Sequence, residues 1–174
     1  VKYDIFDRVN RGGTRLTNQE MRNALYRGKS TRLISELSKA EEFLRATGHG
    51  ISPKRKKDNY VVLRTISFYL LYKKADVVLK QNGEAIEYKS DIDDFLAKMM
   101  IFINEKASDE LIADCRTMFL RAMNNSYRIM GEDAYRFAAY EDESGKSRKR
   151  PINMPLFEML AYVFSDDCVT NNSQ

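Results

Sequence analysis

The chain has 174 residues, with 29 lysines and arginines against 25 aspartates and glutamates and hence a net charge of +4. This length fits one domain, and a hydrophobic content of 43% is ordinary for a globular protein. No run of about 18 apolar residues occurs, and the first residues lack the order of a secretory signal, so we expect a cytoplasmic protein without a membrane partner. The mildly basic balance permits contact with nucleic acid but does not by itself argue for it.

The N-terminal segment is predicted to contain the end of one helix and the start of another. Its first apolar residues predict the last turns of a helix that begins upstream, and Gly12 and Gly13 end that helix. Thr17 and Glu20 form the capping-box pattern T-x-x-E, which begins a short second helix. Because the sequence opens within a helix and does not start with methionine, we expect the chain to be a piece of a longer protein.

The middle of the chain is predicted to hold two longer helices. The first runs from Ser30 or Thr31 to Gly48, and a loop with two glycines and a proline follows. Asp58 or Asn59 is expected to cap the second, which is apolar on nearly all sides and is therefore placed at the centre of the core. Its β-branched residues would also suit a pair of buried strands, but its length and lack of turn residues favour a helix.

Three further helices are predicted in the second half. Ser90 or Asp91 caps an amphipathic helix, Ser108 begins the longest helix, and Pro155 is expected as the first residue of the last one. Gly131 is predicted to end the longest helix, and a short helical piece is expected to follow at residues 135–137. The sequence thus predicts an all-α fold, an irregular bundle of six to eight helices in a single domain over residues 1–174, without a confident strand and with a frayed tail at 166–174.

The sequence lacks a self-contained catalytic or metal-binding set. His49 is the only histidine and lies between two glycines, where a solvent-exposed loop residue is the expected state. Cys115 and Cys168 are too few and too far apart for a zinc site, and Cys115 falls on an apolar helix face that predicts a buried, reduced thiol. Acidic pairs such as Asp93 and Asp94 fall on polar helix faces. We therefore expect no enzyme activity, no metal and no cofactor in this chain alone.

Two dense basic runs are the main candidates for a binding surface. Each has four cations within five residues, enough to engage phosphates through counterion release. The alternative is a pair of solubilising loops, and the functional interpretation gains if both runs lie on one face. The first and second basic loops consist respectively of Lys54, Arg55, Lys56 and Lys57 and of Lys146, Arg148, Lys149 and Arg150.

The glycine turn near the N-terminus is a second candidate site. Arg8 and Asn10 flank the turn, and Arg22 lies one turn into the helix that follows. Backbone N–H groups at such a turn, beside a helix N-terminus and arginines, can bind an anion. The alternative is a well-capped corner in which Arg8 pairs with Glu20 or with helix carbonyls.

The opening segment resembles a known family. The residues Phe6-x-Arg8-x-Asn10-x-x-Gly13-x-x-Leu16, followed by Gln19-Glu20-Met21-Arg22, are similar to the F-x-R-x-N-x-G-G-x-x-L-x-x-x-E-[IM]-R segment of the GmrSD-type N-terminal domain family, a ParB/sulfiredoxin-like group of bacterial proteins found in anti-phage restriction systems. Later stretches look similar too, but residues 1–28 are the diagnostic motif segment.

The resemblance implies roles for several residues. Members of the family carry an upstream D-G-Q-Q-R motif in an α/β core that handles nucleotides, and this chain lacks the motif and looks like the helical portion that follows the core. Arg8, Asn10, Gly13 and Arg22 would then contact nucleotide or phosphate together with that N-terminal core. The function expected from the resemblance is the helical portion of a bacterial DNA-processing or anti-phage restriction-type protein, which packs on this core and contacts DNA. The alternative is a structural or protein-interaction module with no ligand site of its own.

Overall fold

The computed structural model describes residues 15–74, 80–81 and 84–166, and it confirms the all-α class. The described part contains seven α-helices, within the predicted six to eight. They are α1 (Asn18–Leu25), α2 (Lys29–Leu37), α3 (Glu41–Ala46), α4 (Lys57–Lys73), α5 (Ile92–Glu105), α6 (Asp109–Met130) and α7 (Met154–Phe164), with 3-10 turns at Lys54–Lys56 and Gly131–Asp133. The N-terminal helix end, the two-glycine turn and, apart from residue 166, the predicted frayed tail lie outside the described residues.

Two short antiparallel strand pairs are added to the helices, where the sequence offers no confident strand. β1 (Lys80–Gln81) pairs with β2 (Glu84–Ala85), and β3 (Tyr140–Glu141) pairs with β4 (Ser147–Arg148). Each strand has only two residues, which is too short for the alternation of apolar and polar side chains that identifies a strand in a sequence.

Helix starts with a local capping signal occur where the sequence predicts them. Thr17 and Glu20 form a reciprocal capping box, in which the Thr17 N–H donates to the Glu20 carboxylate over 2.7 Å. Asp91 caps α5 and Ser108 caps α6 through side-chain oxygens that accept backbone N–H groups. α7 begins one residue earlier than predicted, because Asn153 is its cap.

The predicted helix from residue 30 to residue 48 is wrong, since two helices occupy this stretch. α2 begins after Gly28, whose N–H donates to the Thr31 hydroxyl, and it ends at Leu37. Ser38 then accepts a 3.0 Å hydrogen bond from the Asn59 side chain, and Ala40 is extended before α3 begins. A contact with a distant helix therefore breaks a run whose local pattern favours continuation.

Two other predicted helix features differ from the structure. α4 begins at Lys57 directly after a 3-10 turn, so Asp58 and Asn59 are buried within its first turn instead of capping it. No helix forms at residues 135–137, because Tyr135 leaves the 3-10 turn to enter the core, where its hydroxyl donates to Ser126 over 2.7 Å.

α4 is the central helix, as its apolar composition predicts. It packs against α2, α5, α6 and α7, and its side chains Val61, Val62, Leu63 and Ile66 are fully buried. Within the described ranges, no helix combines the length and the apolarity that crossing a membrane requires.

α4 and α7 run in the same direction, which determines where the basic loops lie. Arg64 pairs with Glu158 near the middle of the two helices, and Lys73, the last residue of α4, pairs over 3.3 Å with Asp166, which lies just beyond the end of α7. From the first pair to the second, the residue number increases in both helices, so α4 and α7 are parallel. Their N-terminal ends therefore lie at the same end of the bundle.

The Cys115 thiol is buried and free, as the sequence predicts, and it should make stability fall at alkaline pH. Burial raises its pKa from 9.0 to about 12, and burial also raises the pKa of the Tyr135 hydroxyl. The unfolded chain loses these protons first, so the stabilisation is complete below about pH 9 and is lost as the pH rises toward 12. Urea unfolding should show a loss of about 2 kcal/mol from Cys115 between about pH 8 and pH 10.5. The Cys115→Ala variant should lose less stability than the wild type over this pH range. An equal loss in both would contradict the assignment of the pH dependence to Cys115.

Candidate phosphate-binding cleft

A cleft of about 550 Å³ lies between α1, the first basic loop and the N-terminal turns of α4 and α5. Arg22 and all four cations of the first basic loop line this cleft. Tyr60 and Asp93 also line it, so the lining side chains include five cations and one carboxylate. This volume is within the range of ligand pockets, and its charge suits an anion.

Arg22 is held rigidly in the wall of the cleft. Its side chain is only 1% exposed, and its Nε and Nη2 atoms both donate to the Gln19 amide oxygen, over 3.1 and 2.9 Å. Nη1 donates to Asp93, and the guanidinium lies 5.8 Å from the centre of the Tyr60 ring. These contacts use three of the five guanidinium N–H groups. Because the side chain is almost completely enclosed, Arg22 contributes a fixed positive charge to the wall of the cleft.

The first basic loop has an uncommon backbone conformation. Arg55 and Lys56 both have positive φ, 57° and 58°, which costs side-chain-bearing residues about 1 to 2 kcal/mol each. α1 holds this conformation, because the Thr17 hydroxyl donates to the Arg55 carbonyl over 3.0 Å and Arg55 lies 3.5 Å from the Glu20 carboxylate. The Thr17 backbone N–H, with Arg55 and Lys56 nearby, lowers the pKa of Glu20 and keeps it charged.

Three cations of the first basic loop are free to meet a ligand. Lys54, Lys56 and Lys57 are exposed, and no carboxylate of the described residues forms an ion pair with them. Arg55 differs, because it is tied to Glu20 and to the Arg15 carbonyl. The loop therefore combines one anchoring arginine with three lysines available for phosphates.

The second basic loop is partly neutralised by its own surroundings. Asp142 accepts N–H groups of the β3–β4 turn and pairs with Arg148 over 2.7 Å. The Ser144 hydroxyl also donates to Asp142, and this bond together with the contacts above lowers the pKa of Asp142 to about 2. Lys149 pairs with Glu132 and Asp133 in the preceding 3-10 turn.

The remaining cations of the second loop are Lys146 and Arg150. Arg150 lies over the Tyr140 ring at 4.9 Å and donates to the Ala138 carbonyl, and Lys146 is exposed. Because the first basic loop leads into α4 and the second into α7, both lie at the end of the bundle where these helices begin. A shared end of the bundle is a coarser position than the shared face on which the sequence-based functional interpretation depends.

The structure thus separates the predicted site residues into three groups. Arg22 and the first basic loop come together in the cleft, and the second basic loop lies at the same end of the bundle. Arg8, Asn10 and Gly13 lie outside the described residues.

Sequence reasoning missed Asp93, Tyr60 and Gln19 as parts of the site. Asp93 is 71 residues from Arg22 along the chain, and no local pattern indicates that the two pair. Gln19 lies two residues after the cap Thr17, at a position where the sequence gives no sign that its amide bonds to an arginine. His49 is exposed in its loop, as predicted. In the part of the chain that the structure describes, no group of three or more metal-binding side chains occurs.

A comparison with protein-family models, curated proteins and solved structures finds no match to this chain. The resemblance of residues 1–28 to the GmrSD-type family therefore stays a prediction. The geometry of the cleft is the basis for the function proposed below.

Proposed function

We propose that this chain is the helical portion of a bacterial DNA-processing or anti-phage restriction-type protein, and that its basic cleft binds nucleic-acid phosphates. The observation that carries the proposal is that Lys54, Lys56 and Lys57, none of which forms an ion pair with a carboxylate of the described chain, line one cleft together with the buried Arg22. A cation without a carboxylate partner binds a phosphate at the lowest free-energy cost, because no existing ion pair has to break.

The resemblance of the opening segment supplies the rest of the proposal. On this proposal, the helical portion lies in the cytoplasm beside a nucleotide-handling N-terminal core of the same parent protein. The chemistry would belong to that core, and the helical portion would hold the nucleic acid without a cofactor or catalytic set of its own. Arg8, Asn10 and Gly13 would face the core, and Arg22 would link it to the cleft.

A second candidate function is that of a protein-interaction module. It is favoured by exposed apolar side chains near the C-terminal ends of α4 and α7. Tyr72 is 58% exposed, Met159 56% and Val163 47%, and the Tyr72 ring packs edge-on against Tyr162. Such a patch suits contact with another protein surface, and it does not include the basic cleft.

DNA binding measured against salt concentration separates these candidates. In the cleft variant, Lys54, Lys56 and Lys57 are changed to glutamine. The slope of log affinity against log salt should become shallower by about 2.7, because each lost phosphate contact removes roughly 0.9 from it.

The control removes the same charge elsewhere. Arg45, Lys73 and Arg116 do not line the cleft, and changing all three to glutamine should shift the slope by less than about 1, since long-range attraction alone is screened. Equal slopes for the wild type and the cleft variant, or equal effects of the two triple variants, would refute phosphate binding in the cleft.

A further inference from the structure

Arg136 is a nearly buried arginine that joins the second basic loop to the segment that leads into the first. Its side chain is 12% exposed. Nη1 donates to the Arg150 carbonyl at the end of the second loop over 2.5 Å, and Nη2 donates to the Thr47 carbonyl over 3.3 Å. Thr47 begins the segment that leads into the first basic loop. One planar guanidinium thus connects the backbones of both segments. Along the chain, Thr47 is 89 residues from Arg136 and Arg150 is 14 residues from it.

Gly50 makes room for this connection. A Cβ atom at position 50 would lie 2.0 Å from Nη2 of Arg136, far inside van der Waals contact. The nearest colliding group is the end of a long side chain, which can move aside, whereas the Thr47 carbonyl oxygen at 3.0 Å has to shift by only a few tenths of an ångström. Alanine at position 50 is therefore incompatible with the observed position of the guanidinium, and a small local shift of the backbone accommodates it.

Carboxylates complete the junction from the other side. Asp133 lies 3.5 Å from Nε of Arg136 and 3.2 Å from Nζ of Lys149, and Glu132 also pairs with Lys149. The 3-10 turn between α6 and the β3–β4 hairpin therefore binds both the junction arginine and the second basic loop. This arrangement fixes the hairpin relative to the loop that leads to the cleft.

The junction limits the distance between the two groups of cations. Gly50 is in contact with the Arg136 guanidinium, and Lys54 is four positions further along the chain. An extended chain spans at most about 3.6 Å per residue, so Lys54 lies within roughly 25 Å of the Arg150 carbonyl. This distance is shorter than one helical turn of a nucleic-acid duplex, about 34 Å, so the phosphates of a single turn can reach both loops.

We propose that Arg136 is a positioning residue that holds the second basic loop at a fixed distance from the cleft, so that both contact one nucleic-acid duplex. This inference rests on the proposed function of the cleft. A fixed spacing serves a duplex, whose phosphates are themselves fixed, more than a flexible single strand, which adapts to either spacing.

Two substitutions test the junction without removing a charge from either loop. Arg136→Lys keeps the positive charge, but a single ammonium lacks the planar fork that reaches two carbonyls at once. Gly50→Ala keeps every charge and displaces the guanidinium. Both should make the salt slope for duplex binding shallower by about 2, matching a hairpin variant in which Lys146 and Arg150 are changed to glutamine.

Combining the variants distinguishes positioning from simple stabilisation. Gly50→Ala added to the hairpin variant should have no further effect on the slope, because the contacts it disturbs are already absent. Affinity at about 0.1 M salt should fall roughly tenfold for a duplex and less for a single strand of equal charge. Thermal unfolding identifies any variant that fails to fold. If one of the two junction variants, Arg136→Lys or Gly50→Ala, does not fold, the test rests on the other.

The outcomes separate the two proposals. If the cleft variant loses duplex binding while Gly50→Ala and Arg136→Lys keep the wild-type slope, the positioning role is wrong and the cleft proposal stands. An equal loss for single strands and duplexes, or additive effects in the combined variant, also overturns it. If the cleft variant itself binds like the wild type, the proposed function fails whatever the junction variants do.

Discussion

Phe157→Ala should lower the free energy of unfolding by about 4 kcal/mol, the largest effect that we expect from a single substitution. Phe157 is fully buried at the junction of α7 with the rest of the bundle. Its ring centre lies 4.2 Å from that of Tyr135 and 6.4 Å from that of Phe43, with an edge-on arrangement in the second pair. Truncation removes both aromatic contacts and leaves a cavity that these rigid neighbours cannot fill.

Urea unfolding followed by far-UV circular dichroism measures this effect. Met159 provides the control, because it lies on the same helix and is 56% exposed. Met159→Ala should change stability by less than about 0.5 kcal/mol, as expected for a surface position. If Phe157→Ala costs less than about 1 kcal/mol, α7 does not pack on the core as the structure shows.

Arg22→Ala should cost about 3 kcal/mol of stability and should also weaken DNA binding. The substitution removes the donors that the Gln19 amide and the Asp93 carboxylate accept from, and Gln19 is buried. Asp93 is 45% exposed, so water can solvate its carboxylate after Arg22 is removed. The loss of stability therefore stays at the lower end of the range for broken buried ion pairs.

Arg32 provides a matched control for Arg22. It is an exposed arginine on the neighbouring helix α2, and Arg32→Ala should leave stability within about 0.5 kcal/mol of the wild type. Urea unfolding of both variants under the same conditions gives the comparison. Similar stabilities of the two variants would show that the contacts of Arg22 do not hold α1 in place.

The fold was predictable where the signal is local. Thr17, Asp91 and Ser108 cap helices as expected, since a side-chain oxygen that accepts an N–H group two or three residues ahead needs no information from elsewhere. The break after α2 was not predictable, because the contact between Ser38 and Asn59 depends on packing between two helices.

The site was predictable in its charges and not in its geometry. The run Lys54–Lys57 is visible in the sequence, but its left-handed backbone depends on contacts with α1. The neutralisation of Arg148 by Asp142 was open to prediction, since the two residues are close in sequence and flank a turn. The pairing of Arg22 with Asp93 and the junction at Arg136 join distant segments, so only the folded chain brings them together.

Backbone amide NMR shifts during titration with a short DNA duplex test the central claim most directly. If the basic cleft binds phosphates, the shifts that change should be concentrated at residues 17–22, 54–60 and 92–94, with a smaller set at 146–150. They should also shrink together as salt is added, because counterion release drives the binding. Shifts concentrated around the exposed apolar patch near Tyr72 and Val163, or the absence of any shift at low salt, would contradict the account.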